Sequence, residues 1–291
     1  LISAALAALL LAPGPLRGQD TVALPEADRV LELRLEPLYE VGRLDGEPWE
    51  EFQSLDGAAF GPDGRLYLRD GDGARVVAVD RQGRLLHRVG RSGDGPGEYR
   101  SPYGLAVLAD GRLAVWDLRK RAFLLYGPGG EHLDEVRPDL GVGLPGAPLS
   151  TTTDGSALAL TTRIMTGRLG YAYLTPSGVE EAEGSLPLLR IPLDDGGLAR
   201  VVTDVRMPVP DGPSPHPVRR GFDALPSWGP LEGDGVALLH SADYRIEIVG
   251  PDGRVERVLE RPPGARPTTE ADRDAYRWEQ ADNPTRSLGA R

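Results

Sequence analysis

The sequence carries the stretch DGRLYLRD at residues 63–70 and a close copy of it, DGRLAVWD, at residues 110–117. Both the glycines and the final aspartates of the two stretches are 47 residues apart, so the register holds at two landmarks at once. Each stretch is followed by an arginine (Arg75 or Arg121), an apolar run and a second glycine turn. The chain between Phe52 and Val136 therefore contains one structural unit twice.

The repeated unit consists of short strands joined by tight turns. Residues 65–69 alternate between polar and apolar side chains over a length typical of a strand. The Asp-Gly pairs supply the positive φ that a tight hairpin turn requires. Several antiparallel strands per repeat of roughly 40–50 residues are typical of a β-propeller blade, which must stack on its neighbours to bury both faces. The sequence therefore predicts an all-β fold, a β-propeller with four-stranded antiparallel blades.

Two less regular copies follow, which makes about four blades in all. Blade three begins near Asp154-Gly155, with Tyr171–Leu174 as its third strand, and residues 189–193 and 201–205 form an outer hairpin. Blade four begins near Phe222 and returns to register at Asp234-Gly235, with Ser241 at the position of Asp70 and Asp117 and with Arg245 matching Arg121. We also expect an early strand, Leu38–Val41, to join the last blade and close the ring.

Composition limits the classes of function. The 291 residues include 38 Gly and 27 Pro, which fits a turn-rich fold, and no Cys, which excludes disulfides and thiolate metal sites. Acidic side chains outnumber basic ones by 44 to 33, for a formal net charge of −11. This sign of charge argues against a general nucleic-acid binder.

The two ends of the chain differ in composition from the repeats. Residues 1–12 form an apolar run of signal-peptide length, so we assign 1–19 to a signal peptide truncated at its start and expect a periplasmic or extracellular protein without a membrane span in its mature chain. Two alternative interpretations of residues 1–12 are an uncleaved membrane anchor and a buried helix. Residues 20–265 contain the blades, and residues 266–291 begin with a helix-capping pattern at Thr268–Glu279. This segment is expected to lead to missing blades, unless the blades form an open arc.

The connection between the first two blades carries a resemblance to a known family. Residues 90–107 read Gly-x-x-Gly-x-Gly-Pro-Gly-Glu-Tyr-x-x-Pro-x-Gly-Leu-Ala-Val and are followed by the second Asp-Gly stretch. This pattern resembles the NHL-type repeat of six-bladed β-propellers, in particular the exported bacterial propellers, a group without a characterised function. The resemblance implies a ring of four-stranded blades used as a rigid binding scaffold. It also implies that Asp70 with Arg75, and Asp117 with Arg121, are structural pairs of the repeat.

Most motifs of known chemistry are absent from the sequence. The four histidines, at 87, 132, 216 and 240, show no metal-binding spacing, and there is no Gly-x-Ser-x-Gly elbow. The glycines of residues 90–97 are not followed by the Lys-Ser/Thr of a phosphate loop. Residues 70–73 form half of a calcium loop but lack its twelfth-position Glu, so no cofactor is predicted and a divalent cation remains the open alternative.

One set of loops is a candidate binding surface. The connections from second to third strands, and from blade to blade, emerge on the same side of a propeller; we call this side the loop face (residues 71–74, 91–103, 118–120 and 163–170). Guanidinium groups and tyrosines on rigid loops suit a glycan, a peptide or protein, or a carboxylate-bearing ligand. The alternative is that these arginines only solvate the loops or pair with Asp94 and Glu98. The predicted ligand-binding residues are Arg91, Tyr99, Arg100, Tyr103, Arg119, Lys120, Arg163 and Arg168.

Two classes of function are consistent with these residues. The first is an exported, non-catalytic binding or scaffold module, with no catalytic residues assigned. The second is a metal-dependent hydrolase or lyase resembling gluconolactonase or streptogramin lyase, which would need Glu, Asn or His at the starts of the innermost strands. Those strands offer only Asp56, and Asn283 is the sole asparagine of the chain. The sequence therefore favours the binding module.

Overall fold

The computed structural model describes residues 20–25, 32, 34–141, 143–161, 163–166, 170–175, 178–181, 185–194, 196–206, 226–239, 245–261 and 269–281. The strands are numbered along the chain from β1 (Asp20–Ala23) to β22 (Val255–Glu260). Three sheets have four antiparallel strands, and a fourth sheet has four antiparallel strands plus the parallel strand β1. These four sheets are the blades that the sequence predicts.

Blade one contains β2 (Leu55–Phe60), β3 (Leu66–Asp70), β4 (Arg75–Val79) and β5 (Leu85–Val89) in that order. Its first turn forms as expected, because Gly64 has a φ of 81° and the Asp63 carboxylate accepts a hydrogen bond from Arg65 N–H at 3.1 Å. The Asp-Gly pair therefore stabilises the hairpin through both its glycine backbone and its aspartate side chain.

Blade two repeats this arrangement 47 residues later. Gly111 has a φ of 88°, and Asp110 accepts the matching hydrogen bond from Arg112 N–H at 3.0 Å. The connection from blade one carries two short parallel strands, β6 (Arg91–Ser92) and β7 (Glu98–Tyr99). The strands of blade two are β8 (Pro102–Val107), β9 (Leu113–Asp117), β10 (Ala122–Tyr126) and β11 (His132–Val136).

Blade three corrects one prediction. Its strands are β12 (Pro145–Thr151), β13 (Ala157–Thr161), β17 (Ser185–Ile191) and β18 (Arg200–Arg206). The prediction that Tyr171–Leu174 is the third strand is wrong, because β17 pairs with β13 instead. The predicted outer hairpin is present, since Leu189 pairs with Val201, but it supplies the third and fourth strands of the blade.

A separate three-stranded sheet is inserted between the second and third strands of blade three. Its strands are β14 (Arg163–Thr166), β15 (Gly170–Thr175) and β16 (Gly178–Glu181), and all of them pair in antiparallel fashion. The residues predicted as the third strand belong to β15. Strand periodicity alone cannot tell which of two strand-like segments pairs with β13, since both alternate in the same way.

Blade four contains β19 (Ser227–Pro230), β20 (Val236–Leu239), β21 (Arg245–Val249) and β22. The predicted register is wrong by one residue, because Asp234 has a φ of 64° and takes the place of Gly64 in the turn. Leu231 N–H donates to Gly235 O at 2.9 Å, as Gly61 N–H donates to Arg65 O at 2.8 Å in blade one. The predicted positions Phe222 and Ser241 lie outside the described residues.

The early strand is also placed differently from the prediction. Residues 38–41 form no strand; Tyr39 and Val41 lie against the turn at Gly83 in blade one. The strand that joins blade four is β1, which pairs in parallel with the outer strand β22. An alternating segment can form a strand, but its sequence does not say which sheet edge is free to accept it.

The hydrophobic core lies between the blades, in three clusters. One cluster joins blades one and two through Tyr67, Val76 and Leu124, and the next joins blades two and three around Trp116 and Phe123. The third joins blades three and four and includes Leu158, Leu188, Val236 and Leu238. Blades two and three thus bury both faces against neighbouring blades, and blades one and four each bury one face in this way.

The predicted C-terminal helix is present as α1 (Glu270–Ala281). Its first turn has the expected capping box: Thr269 Oγ1 accepts from Asp272 N–H at 3.2 Å, and Asp272 accepts from Thr269 N–H at 2.8 Å. In the part of the chain that the structure describes, no helix has both the length and the apolar character needed to cross a membrane.

Candidate ligand-binding pocket

The aspartate that ends the second strand anchors the loop face in blade one. The buried Asp70 carboxylate accepts hydrogen bonds from the backbone N–H groups of Gln53, Ser54 and Gly73 at 3.1, 2.9 and 3.1 Å, and from Arg75 Nε at 2.9 Å. Burial raises the pKa of Asp70, but these bonds to the ionised form outweigh it, so the pKa lies below its ordinary value. Asp70 therefore ties the residues just before β2, the innermost strand, to the loop between β3 and β4.

Asp117 has the same role in blade two. Its carboxylate accepts from the N–H groups of Arg100 and Ser101 at 2.5 and 3.1 Å, and from those of Arg119 and Lys120 at 2.9 and 2.8 Å. The expected equivalence of Arg75 and Arg121 is not seen in the backbone, since Arg75 opens β4 whereas Arg121 precedes β10. Arg121 has a φ of 53° and occupies the place of Ala74, which has a φ of 43°.

Two arginines of the predicted site pair with acidic residues of their own loop. Arg91 lies 2.5 Å from Glu98, and Arg100 forms an ion pair with Asp94. Glu98 also accepts from Gly95 N–H at 2.8 Å, so its side chain organises the turn. This arrangement is the alternative that the sequence left open for these arginines.

Tyr99 is a core residue. Only 1% of its surface is exposed, and its hydroxyl accepts from Val76 N–H and donates to Val89 O, both at 3.0 Å. Burial raises the pKa of Tyr99 to about 12. The side chain belongs to the connection before blade two but bonds to strands of blade one, so it joins the two blades and is not available to a ligand.

The remaining residues of the predicted site are scattered. Lys120 is almost buried, with its Nζ 3.2 Å from Gly95 O and 3.4 Å from Glu135, and Arg119 is exposed. Arg163 lies in β14, and Arg168 lies outside the described residues.

A shallow cavity of about 590 Å³ borders the outer part of blade two. Its lining includes Asp94, Arg100, Lys120, His132, Glu135 and Arg137.

A second cavity on the loop face lies where the innermost strands of three blades begin. It has a volume of about 280 Å³, and we call it the inner-strand pocket. Asp56 borders it beside the loop at Gly71, which places its mouth on the loop face. The pocket is lined by Asp56, Gly57, Ala58, Arg69, Tyr103, Gly104, Leu105, Ala147, Pro148 and Leu149. Of the predicted ligand-binding residues, Tyr103 is the one that lines it.

The central group of the inner-strand pocket is the guanidinium of Arg69, which is only 5% exposed. It donates to Pro102 O at 2.9 Å and to Asp56 O at 3.0 Å, and it forms an ion pair of 3.0 Å with the Asp56 carboxylate. It also lies 5.8 Å from the centre of the Tyr103 ring. Within the described residues, Arg69 Nε has no acceptor. A buried cation with a spare donor costs free energy, which calls for an explanation.

The repeat shows how unusual this arginine is. Arg69 is the fourth residue of the second strand in blade one, and the fourth residues of the second strands in the other blades are Trp116, Leu160 and Leu239. Trp116 is fully buried in the core between blades two and three, and Leu160 packs in the next core. Sequence reasoning missed Arg69, although the 47-residue register already aligned it with Trp116.

Glycine on the neighbouring strand leaves room for the guanidinium. Gly57 pairs directly with Arg69, and a Cβ at Gly57 would lie 2.7 Å from Arg69 Nε. No real Cβ contact is that short, so a larger residue at position 57 would displace the arginine. The absence of a side chain at Gly57 therefore makes room for the Arg69 guanidinium in the lining of the pocket.

The acidic and histidine side chains bear on the alternative of a metal site. In the described ranges, no three His, Asp or Glu side chains converge to hold a metal ion. Both oxygens of Asp70 accept hydrogen bonds from backbone N–H groups, as described above. The segment that resembles half of a calcium loop therefore holds the backbone around Asp70 in place.

Several solved structures are similar to this chain at low sequence identity. No family model matches the chain, and no curated protein matches it. Similar solved structures include a putative exported protein from Bacteroides fragilis (15% identity, 76% of this chain and 55% of that chain, TM-score 0.44) and virginiamycin B lyase from Staphylococcus aureus (13%, 73% and 56%, 0.38). Another is a gluconolactonase from Xanthomonas campestris (17%, 73% and 78%, 0.33).

The match spans only a little over half the length of the first two of these proteins. In the structure itself, four-stranded antiparallel sheets pack on one another through the three core clusters, as the blades of a propeller do. The chain is therefore a β-propeller protein.

Proposed function

We propose that this protein is a non-catalytic binding propeller that holds a small polar ligand, or a polar group of a larger partner, in the inner-strand pocket. The observation that carries the proposal is Arg69, a charged residue at a position that is apolar in the three other blades. Positions that break the local rules of a fold are where function is expected. The pocket also has the concave shape and the few converging polar groups that are usual for ligand sites.

Binding is favoured because the charged groups of the pocket are held in place. Arg69 is fixed by Pro102 O and by the backbone and side chain of Asp56, so a ligand would meet groups that are already oriented. Such preorganisation lowers the cost of binding. The hydrolase or lyase alternative requires several metal-binding side chains at one place, and no observation in the described part of the chain favours it.

We also propose a cellular location and a repeat type for this protein. The apolar residues 1–12 support export to the periplasm or the extracellular space. The glycine-rich pattern of residues 90–107 supports an NHL-type repeat and, with it, a six-bladed parent ring. Glycans, peptides and carboxylate-bearing molecules are the ligand classes that the loop face would serve.

A ligand screen on matched variants tests the proposal. The full chain is screened by ligand-observed NMR against small sugars, dipeptides and simple carboxylates. The variants are Arg69→Met, which resembles the apolar residues of the other blades, and Arg112→Met, whose arginine pairs with Asp110 at 2.7 Å in the β8–β9 turn of blade two. We expect at least one ligand that binds the wild type and Arg112→Met but not Arg69→Met. If no ligand depends on Arg69, the proposal is wrong.

A further inference from the structure

We infer that the ligand of the inner-strand pocket is neutral and rich in hydroxyl groups, such as one ring of a sugar. This inference rests on the proposed function, because it assigns a chemical class to the ligand of the same site. It starts from the charge of the pocket. Arg69 and Asp56 lie 3.0 Å apart and neutralise each other, and they are the only charged residues that line the pocket among the described residues.

A charged ligand of either sign would meet an electrostatic cost in this pocket. The Asp56 side chain is 42% exposed, whereas Arg69 is almost completely buried, so an incoming anion approaches the carboxylate before it reaches the guanidinium. A cation could approach Asp56, but it would compete with the ion pair that keeps buried Arg69 neutralised. A neutral ligand avoids both costs.

The ion pair offers a donor and an acceptor side by side. A carboxylate only accepts hydrogen bonds and a guanidinium only donates them, whereas a hydroxyl does both. Two adjacent hydroxyls of a ring can therefore donate to Asp56 and accept from Arg69 at the same time. Hydrogen bonds to charged partners are about twice as strong as those between neutral groups.

The rest of the lining suits the carbon skeleton of a ring. The half-buried Tyr103 presents its ring beside the guanidinium, and Leu105, Pro148 and Leu149 supply apolar surface. The volume of about 280 Å³ lies just below the range of roughly 300–1,000 Å³ for drug-sized ligands, so it has room for a single ring. Apolar C–H surface packs on such walls while the hydroxyls reach the ion pair.

The test compares two probes that share a ring and differ in charge. Methyl glucoside, methyl galactoside and methyl mannoside are each titrated against the full chain by NMR beside the corresponding uronate, with glycylglycine as a zwitterionic probe. We expect at least one neutral glycoside to bind with a dissociation constant on the order of 1 mM, as a small ligand does, and its uronate to bind about tenfold more weakly.

Two variants assign the result to the pocket. Arg69→Met should abolish binding of the neutral glycoside, and Arg112→Met should leave it unchanged. Asp56→Asn removes the negative charge with little change of shape, so it should weaken the neutral glycoside and reduce the preference over the uronate. Asp110→Asn is the matched control, in the β8–β9 turn of blade two, and should change neither.

The outcomes separate the two proposals. Arg69-dependent binding of a uronate or of glycylglycine, with no binding of the neutral glycosides, overturns the ligand class and leaves the proposed function standing. Neutral glycosides that bind equally well to Arg69→Met bind elsewhere and also overturn the inference. If none of these probes, nor any ligand of the wider screen, depends on Arg69, both proposals are wrong.

Discussion

Arg69 and Trp116 occupy the same position in adjacent blades, each directly opposite a glycine of the innermost strand, Gly57 or Gly104. Trp116 is a fully buried core residue, whereas Arg69 is an ion-paired residue that lines a cavity. The same backbone frame thus carries a packing residue in one blade and a polar group in the next, and this contrast makes the consequences of substitution testable.

Arg69→Met should leave the fold intact. Removing one partner of a buried ion pair is costly when the other charge stays buried, but the Asp56 side chain is 42% exposed and stays in contact with water after the change. We expect the free energy of unfolding, measured by urea denaturation, to fall by about 1–2 kcal/mol, because Pro102 O and Asp56 O each lose a hydrogen-bond donor. A loss of about 3 kcal/mol or more would mean that Arg69 is needed for the fold and that its position says little about a ligand.

Gly57→Ala should disturb the pocket through Arg69. The new Cβ would lie 2.7 Å from Arg69 Nε, so the guanidinium must move or the strand must shift, at a cost of about 1–3 kcal/mol. The loss should become smaller in the Arg69→Met background, where a flexible unbranched side chain meets the Cβ. Gly229→Ala is the control, since a Cβ there has no neighbour within 4 Å. Equal losses in both backgrounds would show that the clash is not with Arg69.

Tyr99→Phe should destabilise the protein, whereas Tyr103→Phe should not. The Tyr99 hydroxyl bonds to Val76 N–H and Val89 O in the core, and its removal leaves both groups without that partner, at about 1–3 kcal/mol. Tyr103 is only half-buried, and its change should cost about 0.5 kcal/mol or less. Thermal unfolding of the two variants measures the difference, and similar losses would contradict the assignment of Tyr99 to the core.

Asp70→Asn should destabilise the loop face. Each Asp70 oxygen accepts two hydrogen bonds, and the amide group of Asn would place a donor against two of those donors, at a cost of about 2–3 kcal/mol. Asp63→Asn is the control, because the Asp63 side chain is half exposed and, among the described residues, interacts only with Arg65, through one backbone bond and a surface ion pair. The lowered pKa of Asp70 stabilises the fold above the unfolded pKa of about 3.9. This contribution is lost as the pH falls through the folded pKa, so wild type and Asp70→Asn should converge in stability in acid.

His87 should make stability depend on pH near neutrality. Burial lowers the pKa of His87, the nearby Arg65 lowers it further, and Glu131 opposes them. The neutral ring is therefore favoured in the folded state, and stability is full above the unfolded pKa of about 6.5 and is lost as the pH falls through the folded pKa. The melting temperature of the wild type should fall between pH 7 and 5 more steeply than that of His87→Gln. Parallel curves would show that His87 contributes nothing.

The repeat explains which features could be predicted from the sequence. The Asp-Gly turns and the alternation of residues 65–69 are local signals, and the structure forms the corresponding hairpins in blades one and two. The third strand of blade three was predicted wrongly because its true partner, β17, comes after an inserted sheet that has the same period. The place of Leu38–Val41 was also beyond local signals, since pairing depends on which sheet edge is free.

The candidate site was harder to predict for a physical reason. Exposed arginines and tyrosines were expected to form it, but Tyr99 is in the core, and Arg91 and Arg100 pair within their own loop. Arg69 was overlooked because an arginine in an alternating strand is normally assigned to the solvent side. Both sides of this strand are buried, and in the sequence only the alignment of Arg69 with Trp116 indicates it.

The bonds of Tyr99 also bear on how the propeller unfolds. Tyr99 belongs to the connection that leads into blade two, and its hydroxyl hydrogen-bonds to two strands of blade one. From blade two, the Tyr126 hydroxyl donates to Gly97 O at 2.9 Å in the same connection. Neither sheet can detach without breaking this shared linkage. We therefore expect blades one and two to open as one cooperative unit, with amides that exchange with solvent at a common free energy of opening in hydrogen-exchange measurements.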